Sequence, residues 1–172
     1  MLKIFGSVLI VLACGLSGLA IAKNYIRRPH ELRCLQSALQ MLETEISYAA
    51  SPLAEAMEII AARCDKHVAM LFLRAKDELS SMSGYTAKEA WDKSLDAFYP
   101  QTALNQTDLS ILRSLGGTLG ISDREDQIKH LRLSRAQLKA EMDKADELAR
   151  RNVKLWNYLG FSGGIVIVLI LF

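Results

Sequence analysis

The sequence has few of the residues from which metal and catalytic sites are built, and it carries no large excess of either charge. Its 172 residues include three cysteines without a CxxC pair and three histidines without an HExxH motif, so no zinc site is expected. No side chains have the spacing of a catalytic pair or triad, and we predict a non-enzymatic protein without a cofactor, metal or small-molecule substrate. The net charge of +2 excludes a strong general attraction to nucleic acid.

Charge is missing altogether from the two ends of the chain. Residues 4–22 and 155–172 contain no Asp, Glu, Lys or Arg, so the 21 basic and 19 acidic residues all lie elsewhere. A helix of about 20 apolar residues crosses the ~30 Å hydrocarbon core of a bilayer. We therefore predict an N-terminal transmembrane helix within residues 1–23, a cytosolic domain over 24–154 and a C-terminal transmembrane helix over 155–172. This distribution excludes a plain cytosolic enzyme and a polytopic transporter.

Basic residues adjoin the inner side of each uncharged run. This basic collar consists of Lys23, Arg27, Arg28, Arg150, Arg151 and Lys154. Under the positive-inside rule it predicts a cytoplasmic middle domain, and its charges also suit contact with anionic lipid headgroups. A cleaved signal peptide is the alternative for the first run, since Ala20-Ile21-Ala22 fits the cleavage pattern. The basic residues that follow the run oppose its export.

The middle of the chain has the spacing of amphipathic helices. Apolar residues recur every three or four positions from Leu32 onward, and short breaks with Pro or Gly separate the stripes. Capping-box pairs at Thr86 with Glu89 and at Ser122 with Glu125 mark two helix starts. Short connections imply antiparallel neighbours. The predicted fold class is all-α, an antiparallel six-helix bundle flanked by N- and C-terminal transmembrane helices, with a long last helix that leads directly into the second run.

The membrane would hold one end of such a bundle, so we expect a partner-binding face at the opposite end, in the turns at residues 50–52 and 116–124. The candidate partner-binding residues are Tyr48, Pro52, Gly116, Gly120, Asp123 and Arg124. Asp123 and Glu125 have a simpler explanation, because acidic side chains stabilise a helix N-terminus. Arg124 is less favourable at that position, which favours a binding role for it.

Short strings of residues in a fixed order run through the whole chain. They are Arg28-Pro29, Glu31-Leu32-Arg33, Ala38-Leu39-Gln40, Leu42-Glu43-Thr44-Glu45-Ile46, Tyr48, Pro52-Leu53, Glu55-Ala56, Ala90-Trp91, Leu115-Gly116, Leu119-Gly120, Asp123-Arg124, Gln127 and Lys129-His130. Their joint order and distances resemble the stage III sporulation protein AB family of endospore-forming bacteria. The two uncharged ends match that family as well, so the resemblance covers essentially the whole chain.

The resemblance implies a protein integral to the mother-cell membrane that faces the forespore, as part of the channel between the two compartments. Its cytosolic domain would be similar to those of the platform proteins of type II secretion and type IV pilus systems. By the same analogy it would contact a mother-cell ATPase, the stage III sporulation protein AA. This chain has one helical domain rather than two, which favours assembly with other channel subunits or with itself. Gly160 and Gly164 form a GxxxG motif that also suits a homo-oligomer.

Three classes of function stay open. The first is a non-enzymatic, membrane-anchored assembly or platform component of the channel needed for sporulation, which docks partners through its bundle. The second is a membrane-anchored enzyme with dispersed catalytic residues, for which Arg135 is the one hint, because it interrupts an apolar stripe. The third is a membrane-surface sensor that works through the basic collar. We favour the first, because the sequence supplies anchors and a polar bundle but no catalytic constellation.

Overall fold

The computed structural model describes residues 25–49, 51–81, 84–120 and 123–171, and for Ala49 and residues 153–171 it describes the backbone alone. These ranges contain six α-helices and no β-strand, which confirms the prediction of an all-α protein with six helices. The helices are α1 (residues 25–44, followed by a π-helical turn at Glu45–Ala49), α2 (Leu53–Arg63), α3 (Lys66–Ser80), α4 (Ala87–Phe98, followed by a 3-10 turn at Tyr99–Gln101), α5 (Gln106–Gly116) and α6 (Arg124–Leu171).

The predicted membrane segments fall at the edges of this description. Residues 4–22 lie outside the described residues, and of residues 155–172 only the helical backbone up to Leu171 is described. Among the described residues, no helix combines the length and the apolar character that are needed to cross a membrane. Both transmembrane helices, and the domain limits that depend on them, therefore stay predictions.

The chain divides into two compact units, and the boundaries lie within α1 and α6. One unit is His30–Met142, which contains most of α1, all of α2 to α5 and the first part of α6. The described residues of the other unit are 25–29 and those from Asp143 onward. The contacts discussed below all lie within the unit His30–Met142.

Side-chain caps fix the starts of two central helices. The predicted capping box of α4 is confirmed, since the Glu89 N–H donates to Thr86 Oγ1 at 3.2 Å and the Thr86 N–H donates to Glu89 Oε2 at 2.8 Å. A second box at α5 was not predicted, with Asn105 and Asp108 exchanging the same two hydrogen bonds at 2.9 Å. The pair escaped the sequence pattern because it uses Asn and Asp instead of Ser or Thr with Glu.

The apolar stripe predicted on α1 is buried. Four of its leucines have no exposed surface, and they are Leu32, Leu35, Leu39 and Leu42. Removing such side chains from water contributes about 1.5–3 kcal/mol each. The spacing of three and four residues therefore identified the inward face of this helix correctly.

Trp91 of α4 lies at the centre of the core. Its fully buried indole N–H donates to the Leu112 carbonyl of α5 at 2.7 Å, and its ring meets Phe72 of α3 edge-on with centroids 5.7 Å apart. Gly116 of α5 lies directly beneath the indole, where an added Cβ would stand only 2.4 Å from Trp91 Cδ1. The close approach of α4 and α5 thus requires glycine at position 116.

Gly116→Ala should destabilise the protein by about 1–3 kcal/mol, because the new methyl group must displace the Trp91 indole or the α5 backbone. Gly117→Ala is the matched control, since Gly117 is exposed, has an ordinary helical φ of −65° and offers space at 3.4 Å from the nearest atom. Urea unfolding followed by tryptophan fluorescence measures both variants. Equal midpoints for the two would contradict this account of Gly116.

Candidate functional site

The two turns predicted as a partner-binding face lie side by side. A recess of about 270 Å³ opens between the π-helical turn after α1 and the turn before α6. It is lined by Ile46, Ser51, Leu53, Gly120, Arg124 and Gln127. We call this recess, together with the adjoining exposed Tyr48, Pro52 and Asp123, the turn surface. Residues far apart in sequence therefore form one continuous feature.

Arg124 joins the two sides of the turn surface. Its Nε donates to the Ile46 carbonyl at 2.7 Å, across 78 positions of sequence. This carbonyl belongs to the π-helical turn that follows α1, and at the C-terminal end of a helix a positive charge interacts favourably with the helix dipole and with carbonyls that lack a partner in the helix. The structure thus gives Arg124 a structural reason for a position that is unfavourable for α6 alone. Its role in partner binding stays a prediction.

Asp123 and Gly120 shape the second turn. Asp123 Oδ1 accepts the N–H of Asp126 at 2.8 Å, so Asp123 caps α6, as its simpler explanation predicts. Gly120 has a positive φ of +72°, and an added Cβ would lie 3.0 Å from the Ala87 Cβ and 3.5 Å from Leu53 Cδ2. A side chain at position 120 would therefore be strained and would intrude on the recess.

The other candidate residues differ sharply in accessibility. Tyr48 projects from the π-helical turn with 86% of its surface exposed. Pro52 is exposed at the N-cap of α2 and has no side-chain hydrogen bond to offer. Gly116, in contrast, is buried beneath Trp91 and is not part of the turn surface. Tyr48 is therefore the residue of the six that is most available to a partner.

A ladder of polar contacts joins α1 to α6 behind the turn surface. Glu43 accepts from Arg132 Nε and from Arg135 Nη1, each at 2.6 Å, and Gln40 Oε1 accepts from Arg135 Nη2 at 2.9 Å. Further along, the Gln36 amide donates to the sulfur of Met142 at 3.4 Å. The residue numbers of the contacts increase along α6 while those of their partners on α1 decrease, so the two helices run antiparallel.

The environment of Glu43 is both buried and positively charged. Burial raises the pKa of its carboxyl, but the hydrogen bonds and charges of Arg132 and Arg135 outweigh that effect and hold the pKa below its ordinary value of 4.5. Arg135, the sequence hint for a hidden catalytic group, is thus engaged in an ion pair with Glu43 and a hydrogen bond to Gln40. This pairing explains a half-buried guanidinium in an apolar stripe.

Other reactive side chains of the described residues have structural surroundings. Cys34 and Cys64 are free thiols, and burial raises the pKa of each, which lowers its nucleophilicity at neutral pH. The buried carboxylate of Glu31 accepts the Ala103 N–H at 2.6 Å and stands 3.8 Å from His67 Nε2, so it ties α1 to the loop before α5. Within the described ranges, no three His, Cys, Asp or Glu side chains are arranged to hold a metal ion.

The basic collar is described only in part. Lys23 lies outside the described residues, and so does the side chain of Lys154. Arg27, Arg150 and Arg151 are exposed, and Arg28 is half-buried. Their contact with lipid headgroups stays a prediction.

Sequence reasoning missed half of the recess. Ile46, Leu53 and Gln127 lie outside the two predicted turns and were not candidates for the site, because nothing local marks them as part of a recess. The charged residues of α1 and α6 did contain a signal for the pairing of these two helices. Arg132 and Arg135 lie on one face of α6, and Glu43 is an acidic group beside the apolar stripe of α1.

In the residues that the structure describes, these features identify an all-α protein with a surface recess between two turns, one of which carries an exposed tyrosine. The chain belongs to the stage III sporulation protein AB family, whose model matches residues 3–172. Stage III sporulation protein AB of Bacillus subtilis (strain 168) is 38% identical over 171 residues, which cover 99% of each chain. A solved structure of a stage III sporulation protein AB matches with a TM-score of 0.67 and 35% identity, over 72% of this chain and 97% of that one.

Glu43→Gln should cost about 1–3 kcal/mol of stability at pH 7, because two charged hydrogen bonds lose their anionic acceptor. The folded-state pKa is lowered, so the contribution is complete above pH 4.5 and is lost as the pH falls through the folded pKa. The gap between the wild-type chain and the variant should therefore close in acid. Glu58→Gln is the control, because Glu58 is 60% exposed and lies 3.6 Å from Lys76. Urea midpoints measured from pH 7 to pH 3 test this, and a constant gap would contradict it.

Proposed function

We propose that this protein is a non-enzymatic, membrane-anchored assembly component of the channel between mother cell and forespore, and that it docks partner proteins at the turn surface. The observation that carries the proposal is the 86% exposure of Tyr48 in the same π-helical turn whose Ile46 forms, with Leu53, the apolar part of the recess. Tyrosine is a frequent anchor of protein interfaces. Membership of a sporulation protein family supports the setting.

The direction of the helices supports this choice of surface. The turn surface lies where α1 ends and α6 begins, whereas the two uncharged runs belong to the start of the chain and to its end. In an antiparallel six-helix bundle with transmembrane helices at both ends, the turn surface would point away from the bilayer into the mother-cell cytoplasm. A soluble partner such as the stage III sporulation protein AA ATPase would then reach it without obstruction by lipid.

Charge supports a protein partner at this position. The turn surface combines the Arg124 guanidinium with the Asp123 carboxylate, so it presents both signs within one exposed turn. Such mixed charge around an apolar recess is typical of a protein interface rim, whereas a nucleic acid would demand a positive excess. The sequence as a whole has a net charge of +2, in keeping with this choice.

Tyr48→Ala should weaken capture of the stage III sporulation protein AA ATPase by the full-length chain at least tenfold, because an exposed aromatic anchor is lost without a change in the core. Leu133→Ala is the matched control, since Leu133 is 53% exposed on α6 away from the recess. Titrated pull-down from detergent extracts measures both variants. Unchanged capture by Tyr48→Ala, or an equal loss with Leu133→Ala, would contradict the assignment of the turn surface.

The proposed anchoring makes a separate prediction. The full-length chain should stay in the membrane pellet after an alkaline carbonate wash, because an integral helix resists treatment that strips peripheral proteins. A variant that ends at residue 154 should also stay there, held by residues 4–22 alone. Membrane fractionation with an immunoblot measures the outcome. Release of the full-length chain into the wash would contradict both predicted transmembrane helices.

A further inference from the structure

The outward face of α3 carries two large apolar side chains in contact with solvent. Met70 is 44% exposed and Leu73 is 43% exposed. Arg74 and Asp77 are exposed on the same face, because residues three, four and seven positions apart on a helix share one side. We call these four residues the α3 stripe. Its apolar part lacks the cover that the inward leucines of α1 have.

A groove of about 280 Å³ runs along the α3 stripe, between α3 and α4. Its far side is formed by Ser94, Ala97, Phe98 and Gln101, and Phe98 is a buried aromatic wall. The Ser94 hydroxyl already donates to the Ala90 carbonyl at 2.7 Å, so the buried polar group of the groove is satisfied. The groove is therefore suited to an apolar side chain rather than to a polar ligand.

The α3 stripe supplies both one side of the groove and the apolar side chains that could fill the groove of a second copy. Met70 and Leu73 line the groove and also project from its edge. In an interface with two-fold symmetry, one patch meets its own copy, so it must be self-complementary in shape. A groove bordered by exposed Met and Leu meets this requirement, since each copy offers apolar side chains to the groove of the other.

The charges of the α3 stripe are self-complementary too. Arg74 is positive, and Asp77 is negative with its side chain 73% exposed and its Oδ1 3.7 Å from Lys76 Nζ. When two copies of α3 cross antiparallel about a two-fold axis, Arg74 of each copy comes near Asp77 of the other. Two opposite-charge pairs then flank the apolar contacts, whereas a stripe of one sign would repel its copy.

We propose that the α3 stripe and its groove form a self-association surface, and that the occupant is a second copy of this chain related by a two-fold axis. Met70 and Leu73 of each copy enter the groove of the other, and the Arg74–Asp77 pairs fix the register. This surface shares no residue with the turn surface. Two chains could therefore associate while both turn surfaces stay available to other partners.

Charge reversal in trans tests the proposal with the full-length chain in detergent. Arg74→Asp gives a stripe with two acidic groups, and Asp77→Arg gives one with two basic groups. Each variant alone should associate about tenfold more weakly than the wild-type chain, because attraction becomes repulsion at two symmetric positions. A mixture of the two variants, carrying different affinity tags, should co-purify as well as differently tagged wild-type chains do.

Recovery in the mixture is the decisive result, because a pairing of Arg74 with Asp77 inside one chain cannot produce it. Lys129→Asp is the control, because Lys129 is exposed on α6 and its substitution changes the net charge by the same amount as Arg74→Asp. This variant should associate as the wild-type chain does. Thermal unfolding followed by circular dichroism shows that each variant is folded. Wild-type association of the single variants would overturn the proposal, as would weakened variants that do not recover on mixing, since that points to a different occupant.

Discussion

The hydrogen bond from the Trp91 indole to the Leu112 carbonyl is the contact on which the arrangement of the central helices depends. It fixes α4 against α5, while Phe72 brings α3 to the edge of the same ring. The indole N–H is fully buried, so it needs this acceptor, and the bond forms only where α5 passes within reach of the ring. Gly116 permits that approach, and α5 then ends in the turn that leads to the recess.

The pairing of α1 with α6 includes ion pairs between the two helices. Glu43 binds two guanidinium groups, and Arg124 supplies a third to the end of α1. These contacts position the recess, because Ile46 and Arg124 are two of its walls. Exposed side chains outside this pairing are available for the two proposed interfaces. They are Tyr48 at the turns and Met70 and Leu73 on α3.

Much of the fold was predictable because the signals for a helix lie within the helix and its immediate flanks. The spacing of the leucines on α1 and the capping box at Thr86 identified an inward face and a helix start. The candidate site was predictable only as two separate turns, since no local signal shows that residue 46 meets residue 124. Arg124 illustrates the limit, because its position is unfavourable for its own helix and becomes reasonable only beside the end of another. Gly116 illustrates the converse, since a glycine near a turn can serve the core instead of the surface.

The contacts between α1 and α6 span 78 to 106 positions of sequence, whereas α2 to α5 pack mainly on their neighbours in the chain. During synthesis, α1 leaves the ribosome long before its partner exists, and closing so long a loop carries the largest entropic cost. The side chains of Gln36, Gln40 and Glu43 on α1 must therefore wait for α6 before they find these partners. The recess also cannot form before Arg124 and Gln127 have been synthesised, so a chain that stalls before α6 would offer no turn surface to a docking partner.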